Sequence, residues 1–229
     1  MTHVTNARQF LFSACLVTGN VCAAQAQMVP VPAGCDPIAS VQRQNCAVTA
    51  FFKCGPDWQV VDYAGGAPHS VVRNTGDWGG VSFSAANGNY DIALDPNSGP
   101  LFSISAMLHD GRSNFARKAQ FTINGETGDW TDITGYSEFR GNEIDVSGYT
   151  LRNVIGQSMT MFEAGVSEAV VKRHAFWSDD LQILIPGGFE QLIYDGAPNI
   201  EIGTPREIHV PGDTGFLKAE AKYGCDGSN

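Results

Sequence analysis

The stretch VSFSAANGNYDIAL, from Val81 to Leu94, decides the fold class. Asn87-Gly88 is a preferred pair for a two-residue type I′ turn, because both turn positions need a positive φ. A turn at this pair matches apolar residues with each other on one face: Val81 with Leu94, Phe83 with Ile92, and Ala85 with Tyr90. Turn chemistry and strand alternation therefore agree on an antiparallel β-hairpin with a defined register.

The same alternation recurs on both sides of this hairpin. Strands are expected over 46–54, 58–64, 69–74, 118–124, 168–177, 181–185, 206–210 and 216–223. Two further hairpins are expected. One turns at Gly141-Asn142 and pairs Phe139 with Ile144, and the other turns at Gly156-Gln157 and pairs Leu151 with Phe162.

Helical signals are few. Residues 100–110 change to a spacing of three and four, with Ser98 as the expected N-cap and Gly111 after the last turn, although a strand also fits the alternation there. A shorter helix is expected from Asp36 to Gln44, because Asp before Pro is a helix start signal. The chain is thus mainly β.

About twelve strands joined mostly by tight turns must protect their edges, and curling or closing the sheet does so. The expected architecture is an antiparallel meander that forms a barrel or half-barrel with one short helix. A two-sheet β-sandwich is the alternative. Residues 27–45 are expected to form an extended leader and a short helix, and 46–229 a single antiparallel β-domain.

The first 26 residues resemble an export signal. An apolar segment from Phe10 to Val21 precedes Ala24-Gln25-Ala26, whose small residues suit cleavage after Ala26. A cytoplasmic N-terminal helix and a lipoprotein signal at Cys15 are the alternatives. In composition and architecture the chain resembles small exported β-proteins of Gram-negative envelopes, which implies a periplasmic or secreted location.

The chain is acidic, with 24 Asp+Glu against 14 Lys+Arg and a net charge of −10. Removal of the signal would take away Arg8 and make the net charge one unit more negative. Such a surface repels nucleic-acid phosphate and anionic lipid headgroups, so neither is an expected partner. No later segment approaches the roughly 18 apolar residues of a membrane helix, so no integral membrane segment is expected after signal removal.

Cysteine usage also indicates export. Cleavage would remove Cys15 and Cys22 and leave four cysteines, an even number that predicts two disulfides. They are Cys35, Cys46, Cys54 and Cys225. Three connectivities are possible, and Cys35–Cys46 with Cys54–Cys225 is slightly preferred. No metal site is expected, because none of the four forms a C-x2-C pair.

Catalytic motifs are absent from the sequence. There is no G-x-S-x-G nucleophile elbow, no H-E-x-x-H pair and no phosphate-binding glycine loop, so no cofactor is expected. Acidic clusters such as Asp179-Asp180 do not match an EF-hand and suit solvated turns. Whether the protein is an enzyme is therefore uncertain, and a binding role is favoured.

Four residues are candidate ligand contacts. Trp78, Trp130 and Trp177 stand near the ends of expected strands, where they can line the mouth of an apolar pocket or seal the end of the core. His174 is expected on one strand face with Lys172 and Phe176, where it can contact a ligand, act as a base, or simply be an exposed strand histidine. These four form the predicted binding set.

Three functions fit this sequence. The first is an exported β-barrel-like protein that binds or carries a small apolar ligand. The second is an envelope interaction module, such as an inhibitor or assembly factor, that binds a basic protein through the acidic surface. The third is a hydrolase or isomerase on a curled sheet, with His174 and a nearby carboxylate as its catalytic pair.

Overall fold

The computed structural model describes residues 27–161, 169–193 and 199–226. Over these ranges the chain forms 14 β-strands and one short helix. The strands are β1 Asp36–Arg43, β2 Ala47–Cys54, β3 Asp57–Ala64, β4 Ala67–Asn74, β5 Gly80–Ala85, β6 Tyr90–Leu94, β7 Arg112–Ile123, β8 Glu126–Phe139, β9 Ile144–Val146, β10 Tyr149–Met161, β11 Ala169–Ser178, β12 Ile183–Ile193, β13 Asn199–Ile202 and β14 Pro205–His209. The helix, α1, is Ile104–Asp110. The expected export signal, residues 1–26, lies outside the described ranges.

All strands belong to one antiparallel sheet, in the order β13-β12-β11-β10-β8-β7-β6-β5-β4-β3-β2-β1-β14, with β9 paired to β10. Most neighbours in this order are also neighbours in the chain, so the expected meander is confirmed. Strands β13 and β14 stand at opposite edges, yet only Gly203 and Thr204 connect them. The sheet must therefore curl until its two edges approach each other. No ladder joins these edges in the described residues, so the sheet is curled but not closed, as in a barrel or half-barrel.

The hairpin of β5 and β6 has the register that the sequence predicts. Phe83 lies opposite Ile92, flanked by the pairs Ser82–Ala93 and Ser84–Asp91. The turn itself differs from the prediction, because Gly88 has a φ of 71° but Asn87 is not among the residues with positive φ. The connection is a four-residue loop, 86–89, and not a type I′ turn. The strand register is nevertheless as predicted, because the alternation of apolar and polar residues in both strands sets it.

The N-cap of helix α1 lies five residues after the expected one. Ser103, not Ser98, is its N-cap, and the Ser103 hydroxyl accepts a hydrogen bond from the Ala106 N–H. Asp77, from a distant loop, holds this end of the helix through hydrogen bonds from the Ser103 hydroxyl and from the Ser105 N–H and hydroxyl. The predicted end at Gly111 is confirmed, with a left-handed φ of 76°.

Both later hairpin predictions are wrong. Strand β8 does not fold back onto 144–146 but pairs with β10, with Phe139 opposite Val154. Strand β10 runs without a break through Gly156, so no turn occurs at Gly156-Gln157; Phe162 lies outside the described residues. The longer ladder between β8 and β10 offers more hydrogen bonds and packing than the short hairpin that the local pattern favoured.

The helix predicted from Asp36 to Gln44 is also wrong, because this segment is strand β1. It pairs with β2 on one side and with β14 on the other, and Ile38 packs against the core from this strand. Residues 27–45 are therefore part of the domain and not a separate leader. The strand expected over 216–223 is reduced to an isolated bridge between Met28 and Lys218.

Strand β12 continues through Pro186-Gly187-Gly188, beyond the end of the strand expected over 181–185. The ladder with β11 shifts register there, with Ala175 opposite Pro186 and His174 opposite Gly188. Gly188 has a φ of 124°, and a Cβ at this position would lie 2.1 Å from the Glu201 carbonyl oxygen. Glycine therefore permits a bulge in the strand and the close approach of β13.

Two apolar clusters stabilise the sheet. The inner core joins strands from both ends of the sheet order and α1: Ala39, Val41, Phe51, Trp58, Val60, Trp78, Ile104, Met107, Val146, Leu151, Val154, Phe176, Trp177, Ile183, Ile185 and Ile208. The outer core covers the opposite face of β2 and β3: Val29, Val48, Ala50, Phe52, Val61, Tyr63, Leu217 and Ala219. The inner core lies on the concave side of the curl, because only there can the distant strands meet.

The disulfides are Cys35–Cys54 and Cys46–Cys225. Two bridges are confirmed, but the preferred connectivity is wrong. The β1–β2 ladder places Asp36 opposite Lys53, so Cys35 comes directly opposite Cys54. Cys46 instead meets the C-terminal segment, where its N–H donates to the Tyr223 carbonyl oxygen.

Candidate functional site

Alternate residues of each strand face the inside of the curled sheet. Val60 on β3 lies opposite Val72 on β4, and the same row continues through Phe83, Ile92 and Phe121 on β5 to β7. Val60 belongs to the inner core. All five residues therefore lie on the interior face, and residues two positions away on each strand share it.

Among the aromatic side chains on this face that belong to neither core cluster, three lie together on β5 to β7. The Tyr90 ring lies 5.8 Å from that of Phe83 and 6.2 Å from that of Phe121, measured between ring centroids. All three residues are only half-buried. Half-buried aromatics inside a curled sheet form an apolar surface that a small molecule can reach from solvent. We call Phe83, Tyr90 and Phe121 the interior aromatics.

The interior face also carries arginines. Those that alternate in phase with interior residues of their own strands are Arg43, Arg117, Arg152 and Arg173. An arginine stays protonated in proteins, so each such side chain needs hydrogen-bond acceptors or an opposite charge. The partners of the four differ, and the difference locates the candidate site.

Arg43 is paired with a carboxylate through Nη2, although its buried Nε has no hydrogen-bond partner among the described residues. Its Nη2 lies 3.0 Å from Oδ1 of Asp62, and only 4% of the Arg43 surface is exposed. The same carboxylate accepts hydrogen bonds from the hydroxyls of Thr49, at 2.5 Å, and Ser70, at 3.4 Å. This network satisfies Asp62 of β3 with donors from three other strands, β1, β2 and β4, so it joins four strands to each other and leaves little capacity for a ligand.

Arg117 and Arg152 also have interaction partners in the protein. Arg117 donates to the carbonyl oxygens of Gly80 and Asp95, each at 2.7 Å. Burial lowers the pKa of Arg117, and the charge of Asp95 opposes this effect. Arg152 lies over the ring of Phe139, 3.6 Å from its centroid, and 3.8 Å from a carboxylate oxygen of Asp179.

Arg173 has weaker partners. It lies on β11 opposite Gly156 of β10 and Phe189 of β12, and its Nη1 donates to the Ser158 hydroxyl at 2.7 Å. Its other interaction is electrostatic, with Tyr90. No carboxylate in the described ranges forms an ion pair with Arg173. Surrounding protein desolvates the guanidinium and lowers its pKa, while the residue remains accessible to solvent. Both observations fit a side chain that faces the concave side of the curled sheet and is open to solvent there.

The interaction of Arg173 with Tyr90 shows how strongly the sheet curls. Strands β11 and β6 are four steps apart in the sheet, which is about 19 Å along a flat sheet. Burial raises the pKa of Tyr90, and the positive charge of Arg173 opposes this effect. The curl thus brings the interior aromatics and Arg173 to one place, so that an apolar surface and a positive charge border the same space.

The structure brings Trp78 and Trp177 of the predicted binding set into one cluster, but not Trp130 or His174. Trp78 and Trp177 are buried in the inner core, where Trp78 stacks on Trp58 at 4.8 Å and seals one end of it. Trp130 is 45% exposed on β8, and His174 is exposed on β11 on the face opposite to Arg173. A ligand contact by these four residues stays a prediction, and the geometry favours the interior aromatics and Arg173.

The sequence contained only a weak signal for this site. Tyr90 and Phe83 were correctly placed on one face of the hairpin of β5 and β6, but nothing in the local sequence showed that this face would stay partly open. Arg173 and His174 are adjacent in a segment without clear alternation, and the phase of β11 decides which faces inward. The pairing with Gly156 and Val154 of β10 sets that phase.

No group of three or more His, Cys, Asp or Glu side chains in the described ranges could hold a metal ion. That part of the chain also contains no helix able to cross a membrane. No family model, curated protein or solved structure matches this chain. The function is therefore inferred from the site.

Proposed function

We propose that the protein is an exported binding protein that carries a small, largely apolar ligand inside its curled sheet. The contact among Phe83, Tyr90 and Phe121 supports this proposal most directly, because it leaves aromatic surface on the interior face only half-covered. A ligand that covered these rings would gain the free energy of removing that surface from water.

Export is supported by several features. Two disulfides are compatible with an extracellular or periplasmic protein, since such compartments are oxidising. The expected signal at residues 1–26 and the net charge of −10 suit the same location. An interior apolar surface suits a binding protein outside the cytoplasm, because it removes the apolar surface of a ligand from water.

A hydrolase or isomerase is less well supported. His174 is exposed, and no carboxylate among the described residues forms an ion pair with it. The histidines that do contact carboxylates are His109, beside Asp110, and His209, beside Glu207. Neither pair lies beside the interior aromatics, so the described part of the interior offers a surface for binding and no evident acid–base pair.

Binding of N-phenyl-1-naphthylamine, a neutral apolar dye that fluoresces out of water, tests the proposal. We expect the purified protein to bind the dye, and Phe83→Ala to weaken binding about tenfold, because a large part of the aromatic surface is lost. Ile200→Ala is the control: it removes an apolar side chain that is 59% exposed on the edge strand β13 and should leave dye binding unchanged.

An absence of dye binding by the folded wild-type protein would contradict the carrier proposal. The interaction module would then be the better assignment, and the exposed apolar side chains of Ile123 and Trp130 on the β7–β8 hairpin favour it. Equal losses in Phe83→Ala and Ile200→Ala would also count against an interior site.

A further inference from the structure

We infer that Arg173 recognises an anionic group, so that the ligand is an anionic amphiphile: one negatively charged headgroup on an apolar body. This inference rests on the proposed function, since it assigns the polar end of the same site. Arg43, Arg117 and Arg152 have carboxylate or carbonyl partners near the interior, whereas among the described residues Arg173 interacts only with the Ser158 hydroxyl and Tyr90. A guanidinium has five N–H donors, so with these partners Arg173 retains donors for an anion.

The surroundings of Arg173 provide further donors. The Ser158 oxygen accepts a hydrogen bond from Arg173, so its own O–H is left to donate. The Tyr90 hydroxyl is a second donor, held near Arg173 by the curl. A carboxylate, sulfonate or phosphate monoester at this point would receive hydrogen bonds from a charged group and from two hydroxyls.

The apolar body has a defined direction. Tyr90 contacts Phe83 and Phe121, so the aromatic surface begins where the polar group ends. A headgroup at Arg173 would therefore place an attached chain or ring against the interior aromatics. Phe189, opposite Arg173 on β12, is a further half-buried aromatic residue beside the headgroup position.

The net charge of the protein makes a preference for an anionic ligand informative. At −10, the overall field repels anions. A preference for an anionic over a neutral ligand of the same shape must therefore come from local positive charge. Dodecanoate and dodecan-1-ol form such a pair, and the affinity of each is measured by displacement of N-phenyl-1-naphthylamine at pH 7.5.

We expect the wild-type protein to bind dodecanoate about tenfold or more tightly than dodecan-1-ol, as a charge-assisted hydrogen bond allows. Arg173→Gln should remove this preference and leave dodecan-1-ol binding nearly unchanged. Lys172→Gln is the matched control, because it removes one positive charge from the next residue of β11, on the opposite face. It should keep the preference.

Two further variants test the same site in case Arg173→Gln does not fold. Arg173→Lys keeps the charge but loses the fork of donors, and should retain part of the preference. Tyr90→Phe keeps the ring and removes the hydroxyl, and should weaken dodecanoate binding several-fold without affecting dodecan-1-ol.

The outcomes separate the two proposals. Equal affinity of the wild-type protein for dodecanoate and dodecan-1-ol would overturn the anion site while leaving the carrier function in place. A preference for dodecanoate that persists in Arg173→Gln would overturn the role of Arg173. Failure of both ligands and of the dye to bind would overturn the carrier function itself.

Discussion

At the scale of single residues, Glu207 shows how a charged side chain fastens the C-terminal segment to the sheet. Its carboxylate accepts hydrogen bonds from Lys222 and from the Tyr223 hydroxyl, each at 2.5 Å, and His209 lies 3.0 Å away. The hydrogen bonds from Lys222 and Tyr223 lower the pKa of Glu207 to about 2. The charged form is thus preferred in the folded state.

The lowered pKa predicts a pH-dependent contribution to stability. Because the folded-state pKa lies below the unfolded value of 4.5, Glu207 stabilises the fold above about pH 4.5 and loses this effect as the pH falls toward 2. We expect Glu207→Gln to lower the melting temperature at pH 7, and the difference from the wild type to shrink between pH 4.5 and pH 2. Thermal unfolding followed by circular dichroism measures this.

Glu126→Gln is the control for this experiment, since Glu126 lies at the exposed tip of the β7–β8 hairpin. It should change the melting temperature little at any pH. A constant difference between Glu207→Gln and the wild type from pH 7 to pH 2 would contradict the assigned role of the Glu207 charge. High salt should weaken the effect, because the carboxylate is partly exposed.

At the scale of elements, strand β1 is held on its outer face by backbone that has almost no regular structure. The Ser40 hydroxyl accepts a hydrogen bond from the Leu217 N–H at 3.0 Å. The Gln42 side chain donates to the Glu220 carbonyl oxygen and accepts from the Lys222 N–H, both at 3.0 Å. Side chains of β1 thus replace the ladder that a terminal strand would have formed.

The substitution Gln42→Ala should loosen this cover. It leaves the Glu220 carbonyl group and the Lys222 N–H without their partner. Because Gln42 is only 1% exposed in the wild type, these groups are shielded from water, and their loss of a partner costs about 1–3 kcal/mol. Urea unfolding measures the loss, and hydrogen exchange should show faster exchange at the Lys222 amide. Gln120→Ala is the matched control, because Gln120 makes one exposed hydrogen bond to Gly128. A loss as large in the control would argue against this role of Gln42.

At the scale of the whole molecule, the two disulfides constrain very different lengths of chain. Cys35–Cys54 joins facing residues of one hairpin, with a sequence separation of 19. Cys46–Cys225 joins the β1–β2 turn to the C-terminal segment, with a separation of 179. A longer loop loses more conformational freedom in the unfolded state when it is closed.

Removal of the two bridges should therefore have unequal effects. On the chain-entropy model the Cys46→Ala/Cys225→Ala variant loses about 5 kcal/mol of unfolding free energy and the Cys35→Ala/Cys54→Ala variant about 3 kcal/mol. Urea unfolding of each double variant with the other bridge intact tests the order. A larger loss in the Cys35–Cys54 variant would contradict the model for this protein. Mass spectrometry before and after reduction checks that one bridge remains.

Local features were predicted correctly where neighbouring residues decide them. The register of Phe83 against Ile92 and the helix end at Gly111 follow from alternation and from backbone preference. The two Asn-Gly pairs show the limit of such reasoning. Asn124 and Gly125 both take positive φ, 52° and 84°, as a type I′ turn requires, while Asn87 does not.

The sequence by itself determined that the protein is antiparallel β with tight turns, because alternation of period two and turn residues act over a few positions. Only the tertiary structure decided that β8 pairs with β10, that Cys35 faces Cys54, and that Arg173 rather than His174 faces inward. Each of these depends on a choice between registers that are locally almost equivalent. Long-range packing and hydrogen bonding between strands make that choice, and neither is encoded in any short segment.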